Sequence, residues 1–339
     1  MRVSIIIPAY NAERWIEETI LSALQQTWAD KEVLVVDDGS TDNTLGIAKQ
    51  YESETLKVFA QENKGVCAAR NLGLRMARGD YFQWLDADDL LAPDKLARQL
   101  EGINACESDR VLLTSAYGTF FYDIRKANFT PNSLWGDLTP TEWLVNKFRD
   151  KVWMNPATWL ISRRLTEIAG PWNENILRDN DGEYICRVVS KSHRVKFVPK
   201  AHSYYRIGNL NSVSKRITKE KLKSMHLATK LCINYLLELE DTPRSRSACN
   251  ALLQHRLFDF YPEHPRIVND MFRLAVELGG RLNKPSLNGN HRILQKLFGF
   301  KTAKEIVSFV KLKKFYIYSQ FDRMHCSFRY WFSLQNTHH

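Results

Sequence analysis

Over the first hundred residues, short unbroken apolar runs alternate with stretches of helical period. Val3 to Ile7 is an apolar run, interrupted only by Ser4 and ended by Pro8, as expected of a strand buried on both faces of a sheet. Residues 11 to 26 place Trp15, Ile16, Ile20, Ala23 and Leu24 at helical spacing, with Asn11 as the expected cap and Glu13 near the positive end of the helix. Val33 to Val36 gives a second strand closed by Asp37-Asp38-Gly39-Ser40, and another helix is expected to start between Ser40 and Asp42. A short strand at Val58 and Phe59, a helix from Val66 to Ala77 and a strand from Tyr81 to Leu85 follow, the last closed by Asp86-Ala87-Asp88-Asp89. This alternation predicts an α/β architecture, a mostly parallel Rossmann-like sheet with helices on both faces. In such sheets ligands bind beyond the carboxyl ends of the strands, so the two acidic clusters are expected to share one site.

Further along, the pattern predicts strand and loop over Val111 to Phe121, a helix near Thr141 to Phe148 and a strand over Thr158 to Ile161. A turn at Gly170-Pro171 and a helix from Gly182 to Ser190 come next. Beyond Lys215 the period is helical, with breaks at Pro243, Pro262 to Pro265 and Lys284 to Asn290. At 339 residues the chain exceeds the usual reach of one core, and the reading is an α/β domain over 1–214 with a mostly helical, basic region over 215–339.

The charge is as uneven as the pattern. The net +10 divides into −2 over residues 1–214 and +12 over 215–339. That distribution argues against a nucleic-acid channel through the main domain and for an anionic surface or partner at the far end. Residues 290–339 hold nine Lys and Arg, two Asp and Glu and eleven aromatics, among them Phe309, Phe315, Tyr316, Tyr318, Phe321, Phe328, Tyr330, Trp331 and Phe332. Such a mixture suits an interface. It either packs on protein, within this chain or in an oligomer, or rests on an anionic membrane. No apolar run reaches the roughly 18 residues needed to span a bilayer, and the first residues do not make a signal peptide, so the expected place is the cytoplasm, with peripheral contact at the membrane's inner face as the extension. The six cysteines (67, 106, 186, 232, 249, 326) show no zinc spacing and read as reduced thiols.

Asp86-Ala87-Asp88 at a strand end offers carboxylates to a hard divalent cation, Mn²⁺ or Mg²⁺, that would share its ligands with substrate phosphates. A solvated acidic turn is the plain alternative. Asp38 can accept the imide N–H of a uracil, and Tyr10 can pack on the base, although Asp37 to Asp42 also reads as a simple turn. Arg70, on the helix after Asn63-Lys64-Gly65, has the fork to hold a diphosphate, or is a surface arginine.

In order and spacing, Val3-Ser4-Ile5-Ile6-Ile7-Pro8-Ala9-Tyr10-Asn11, Val36-Asp37-Asp38-Gly39-Ser40-Thr41-Asp42, Asn63-Lys64-Gly65 with Ala69-Arg70-Asn71, and Leu85-Asp86-Ala87-Asp88-Asp89 resemble the family 2 glycosyltransferases of the GT-A fold. The resemblance continues through Gly170-Pro171-Trp172-Asn173-Glu174, Asn180-Asp181-Gly182-Glu183-Tyr184 with Arg187, and Tyr204-Tyr205-Arg206 near Ser212. It implies an inverting, metal-dependent transfer of a sugar, with a UDP-sugar as the expected donor, to a glycan or lipid-linked acceptor in surface polysaccharide synthesis. Pro8, Ala9, Tyr10, Asp38, Lys64, Gly65, Arg70, Asp86 and Ala87 would serve the donor, Asp86 and Asp88 the metal, and Asp181 would be the catalytic base. The family's usual Glu-Asp is here Asn180-Asp181, which keeps Asp179 and Glu183 as alternate bases and Arg206 as a further candidate. The Gln-x-x-Arg-Trp motif and membrane spans of processive members are missing, so single-sugar addition is expected. Two other readings stand beside this one. A sugar nucleotidyltransferase would need a glycine-rich phosphate loop where Pro8-Ala9-Tyr10-Asn11 stands. A non-catalytic basic binding protein would work through its tail.

Overall fold

The computed structural model describes residues 1–101, 103, 109–207, 218–289 and 291–335, with side chains through 324 in the last helix. Ser212, Cys106 and the expected boundary at 214 lie outside the described residues, as do the side chains of Cys326, Phe328, Tyr330, Trp331 and Phe332.

Among the described residues nine strands form one sheet: β1 (Val3–Ala9), β2 (Lys31–Asp37), β3 (Leu56–Ala60), β4 (Tyr81–Trp84), β5 (Leu90–Leu91), β6 (Val111–Phe120), β7 (Asn128–Phe129), β8 (Leu160–Ser162) and β9 (Arg194–Arg206). Their order is β3-β2-β1-β4-β8-β6-β9-β5, with β7 paired to β6. The first four are all parallel. Beyond β4 the sheet is mixed: β8 runs antiparallel to β4 and β6, while β6 and β9 pair in parallel.

Strand period explains why Ile5, Ile6 and Ile7 of β1 are apolar in succession. Ile5 and Ile7 point into one core with Val33, Val35, Ile16 and Ile20, while Ile6 points to the other with Leu34, Cys67, Phe82 and Trp84. All of these are buried, and each aliphatic side chain so covered contributes about 1.5–3 kcal/mol. The helices that cover the two faces are α1 (Ile16–Leu24), α2 (Thr44–Lys49), α3 (Val66–Met76), α4 (Lys95–Glu101), α5 (Pro140–Asp150), α6 (Arg163–Ala169) and α7 (Asn180–Lys191).

Two local expectations need correcting. Asn11 does not cap α1, whose N-terminus has no side-chain cap. It sits at φ 49°, where its Oδ1 accepts the Thr41 N–H at 2.8 Å and its own N–H donates to Ser40 Oγ at 3.0 Å. The residue thereby ties the loop after β1 to the loop after β2. Helix α2 begins two residues beyond Asp42, because the Asp42 carboxylate takes the Thr44 and Glu13 N–H groups and holds the turn open.

Beyond the sheet lie α8 (Lys219–Leu239), α9 (Pro243–Phe260), α10 (Pro265–Glu277) and α11 (His291–Gln335), the last broken by Gly299 at φ 75°. Pro243 and Pro265 occupy the first turns of α9 and α10, as their fixed φ favours. Cys232 and Leu236 of α8 and Leu253 and Leu257 of α9 share one core with Trp143 and Phe148 of α5 and Tyr184 of α7. Helix α11 is fastened at two points. Lys304 donates to the Phe258 carbonyl at 2.7 Å, and Asp322 pairs with Lys126 while accepting the N–H groups of Tyr122 and Asp123. Phe315 packs on Phe121 between them, ring centroids 5.1 Å apart. No described helix is long and apolar enough to cross a membrane.

Candidate active site

The carboxyl ends of β1, β2 and β4 place Tyr10, Asp38 and Asp86 at one sheet edge, since β1 lies between the other two. Tyr10 is exposed there, while Pro8 and Ala9 are buried. Asp38, almost wholly buried, does not present a bare carboxylate. Its oxygens accept the Gln61 side-chain amide at 2.7 Å and the backbone N–H groups of Lys64 and Gly65 at 2.9 and 2.8 Å. Asp38 thereby fixes the 61–65 loop that leads into α3. Gly39, at φ 71°, lets that loop close, because a Cβ there would stand 2.8 Å from the Asn63 nitrogen.

Arg70 of α3 is the hub of the site. Its guanidinium donates to Asp86 Oδ1 at 2.7 Å and to Asn180 Oδ1 at 3.1 Å. It also lies 4.1 Å above the ring of Trp172, which stacks on Tyr184 at 3.9 Å, with Trp84 edge-on to both. Burial opposes the charge of Arg70, and Asp86, Cys67 and Asp181 together outweigh it, so the guanidinium holds its proton more tightly than usual. Two nitrogens of the fork expected to serve the diphosphate thus hold Asp86 and Asn180 in position, while the buried Nε has no hydrogen-bond partner among the described residues.

Asp86 and Asp88 are both partly exposed, and Asp86 spends one oxygen on Arg70. Ala87 is nearly buried, its carbonyl held by Thr19 Oγ1 at 3.0 Å. Asp89 points inward, to Asn155 and to the Arg206 N–H; burial and then the charges of Asp88 and Asp86 push its carboxyl well above the usual range. Arg206 supports this turn from beneath. It is buried between Trp15 and Phe120, donates to the Asp88 carbonyl at 2.8 Å and pairs with Glu18. Among the described residues no three metal-ligating side chains cluster. Two carboxylates two residues apart nevertheless suit a hard cation that draws its remaining ligands from phosphate and water.

Asp181 stands in the first turn of α7, one residue beyond the Asn180 that Arg70 holds. Burial raises its carboxyl above the ordinary value and the Asp179 charge adds to this, against Arg70 and Lys147. The alternates are differently placed. Glu183 is 1% exposed, with both oxygens on Arg187, at 2.7 and 3.1 Å, and one also on the Tyr235 hydroxyl at 2.7 Å. Three hydrogen bonds thus hold this carboxylate to Arg187 and Tyr235 within the core. Asp179, in the left-handed conformation at the start of α7, is neutralised by Arg256. Its carboxylate also explains Gly182, where any Cβ would collide with it. Trp172 and Gln61 were given no role in the sequence, and Asn180 entered only as a departure from the usual Glu-Asp pair. Trp172 lay within a quoted motif, but nothing in its spacing marked it as the seat of Arg70.

A parallel half extended by a mixed half that carries the acidic turn at its centre is the GT-A fold. Residues 4–157 match glycosyl transferase family 2, and over that segment the chain is similar to the family 2 glycosyltransferases. An uncharacterized glycosyltransferase of Haemophilus influenzae is 45% identical over 101 residues, 29% of this chain and 40% of that protein. The putative teichuronic acid biosynthesis glycosyltransferase TuaG of Bacillus subtilis is 45% identical over 102 residues, with the same shares. The chain thus spans less than half the length of these curated relatives. The crystal structure of S. aureus TarS 1-349 in complex with UDP-GlcNAc superposes with a TM-score of 0.59 at 21% identity, over 85% of this chain and 95% of that one.

Proposed function

We propose that the chain is an inverting glycosyltransferase that moves one sugar from a nucleoside diphosphate sugar, a UDP-sugar in the first instance, to an acceptor hydroxyl in surface polysaccharide synthesis. The observation that carries this reading is the Arg70 bridge, which joins the acidic turn at the end of β4 to the residue preceding Asp181. Donor and acceptor chemistry would meet across that bridge. Tyr10 offers the base an aromatic face, and Asp38 shapes the nucleoside side of the crevice by holding Lys64 and Gly65 in place. Asp86 and Asp88 would hold Mn²⁺ or Mg²⁺, which when bound neutralises charge on the departing diphosphate. Asp181 accepts the proton of the acceptor hydroxyl as its oxygen forms the new bond to the anomeric carbon. The bond from that carbon to the diphosphate oxygen breaks on the opposite face, and its electron pair leaves with the nucleotide. A base whose carboxyl is raised above the ordinary range is better matched to this task near neutrality. The filled places of Glu183 and Asp179 support Asp181 over either alternate.

The test is a panel of nucleoside diphosphate sugars with Mn²⁺, monitored for release of nucleoside diphosphate. Turnover of at least one, abolished in Asp181→Asn, is expected; no release from any donor contradicts the reading.

Peripheral contact with the inner face of a membrane is a second part of the proposal. On the side of α11 away from Phe121, the residues Phe309, Val310, Ile317, Tyr318 and Phe321 are exposed and Lys313 and Lys314 lie among them. Apolar side chains framed by lysines suit an anionic leaflet. Flotation with anionic vesicles at low salt is expected; no flotation, or equal flotation with neutral vesicles, speaks against it.

A further inference from the structure

A cavity of about 1,100 Å³ opens beside Asp181, above the roughly 300–1,000 Å³ of sites for drug-sized ligands. Its walls come from α5, the start of α7, α9 and α11. Four features of this cavity bear on what it takes. It is too large for a single sugar and has the candidate base in its wall. Two exposed aromatics, Trp153 and Tyr316, give it flat apolar faces. Trp153 is held in place by stacking on Tyr117 at 5.8 Å and by an edge contact with Tyr205 at 5.3 Å. Finally, the cavity is cationic: among the described residues five Lys and Arg line it against three Asp. One of those carboxylates, Asp179, is already spent on Arg256, whereas Lys147, Lys151 and Lys313 form no ion pair with any described residue.

Helix α11 is an integral wall of this cavity. Its fastening through Lys304 on one side and Asp322 on the other brackets the stretch that carries Ser308, Leu312, Lys313 and Tyr316. The basic C-terminal region therefore reaches the reaction centre.

We propose that this cavity is the acceptor site and that it takes a saccharide bearing an anionic group, carboxylate or phosphodiester, close to the hydroxyl that is glycosylated. The proposal rests on the transferase reading and adds the acceptor's chemical class. Aromatic faces pack on sugar rings, and unpaired lysines hold the anion away from Asp181, whose own negative charge would otherwise repel it. The lysines are point charges on flexible stems, so they accept either anion without demanding one geometry.

The experiment uses the full chain and three probes. These are an oligosaccharide with a hexuronate in every second position, its carboxyl-reduced neutral counterpart, and a glycerol phosphate oligomer. Binding is read by ligand-observed NMR at low and high salt, with UDP titrated alongside. At least one anionic probe is expected to bind ten-fold or more tighter than the neutral one, the stronger of the two naming the anion, and to weaken with salt. A Lys151→Ala/Lys313→Ala chain is expected to lose that preference while binding UDP as the wild type does. Tyr316→Ala is expected to weaken all saccharide binding. Equal binding of neutral and anionic saccharide, an unaltered double variant, or UDP binding with no saccharide binding at all overturns the proposal. Failure of the wild type to bind UDP or any nucleotide sugar overturns the transferase reading, and the proposal with it.

Discussion

Arg70 donates a 2.7 Å hydrogen bond to Asp86 across the floor of the crevice, from a guanidinium that is almost wholly buried to a carboxylate that is about a third exposed. Because the same fork reaches Asn180 and rests on Trp172, three geometric constraints meet in one side chain. Lysine supplies a charge but no planar fork. Arg70→Lys is therefore expected to cut transfer about 100-fold or more, the scale of a catalytic group displaced by about 1 Å. Its cost in stability should be about 1–3 kcal/mol, reduced from that of a fully buried pair by the exposure of Asp86. Urea unfolding and steady-state kinetics check the two halves separately.

Asp181→Asn separates chemistry from donor binding. Removing a general base costs about 10²–10⁴-fold, so transfer should fall within that span while nucleotide affinity stays within several-fold. If affinity falls as far as activity, Asp181 belongs to the donor site.

The same substitution has a signature in stability. The Asp181 carboxyl is raised by burial and then by Asp179, with Arg70 and Lys147 opposing. The folded chain thus holds this proton more tightly than the unfolded chain. Its stabilising contribution is complete below the unfolded value of about 4 and is lost as pH rises through the folded value. Asparagine is neutral throughout. Asp181→Asn should melt higher than the wild type at pH 7 and converge with it near pH 4. In the wild type, transfer should fall on the acid side at a pH above the ordinary aspartate value. Scanning calorimetry and a pH–rate profile read the two effects.

Glu183 lies two residues away and predicts the opposite. Glu183→Gln leaves the largely buried Arg187 charge without its ionic partner, which costs up to about 3–5 kcal/mol, reduced because Arg187 is 14% exposed. The protein that remains folded should bind nucleotide normally. A variant as stable as the wild type but inactive would return Glu183 to the list of bases.

The sheet edge was legible in the sequence because strand period and the acidic closures of β2 and β4 are local signals. The same signals located Tyr10, Asp38, Asp86 and Asp88 at that edge. The partners of Arg70 were not legible, because Asn180 and Trp172 are about a hundred residues away and meet it only through the sheet's mixed half. Strand β9 was not read as a strand, and its last three residues entered only as a motif: thirteen residues containing Pro199 and two lysines carry no clean alternation, and their pairing with β6 slips register at Ser115 and Ala116. Asn11 was misread as a cap because a residue before an apolar helix usually is one, and only its left-handed φ reveals the other use. For the tail, sequence could not divide the two sides of α11. The structure places Phe315 and Asp322 on the protein and leaves Phe309, Ile317 and Phe321 exposed.

Asp88→Ala should abolish metal-stimulated turnover while changing stability by no more than about 1 kcal/mol, since Asp88 is partly exposed and its charge repels that of the buried Asp89. Excess chelator should reproduce the loss in the wild type. Full turnover in chelator contradicts the assignment of Asp86 and Asp88 to a cation.

The most direct test of the account follows the anomeric configuration of the sugar released from an α-linked nucleoside diphosphate sugar. The anomeric proton is observed by NMR before mutarotation, with water standing in for the acceptor. Attack from the face of Asp181, opposite the departing diphosphate, predicts that the β anomer appears first and that Asp181→Asn suppresses it. Initial release of the α anomer, or release undiminished in Asp181→Asn, would contradict the account.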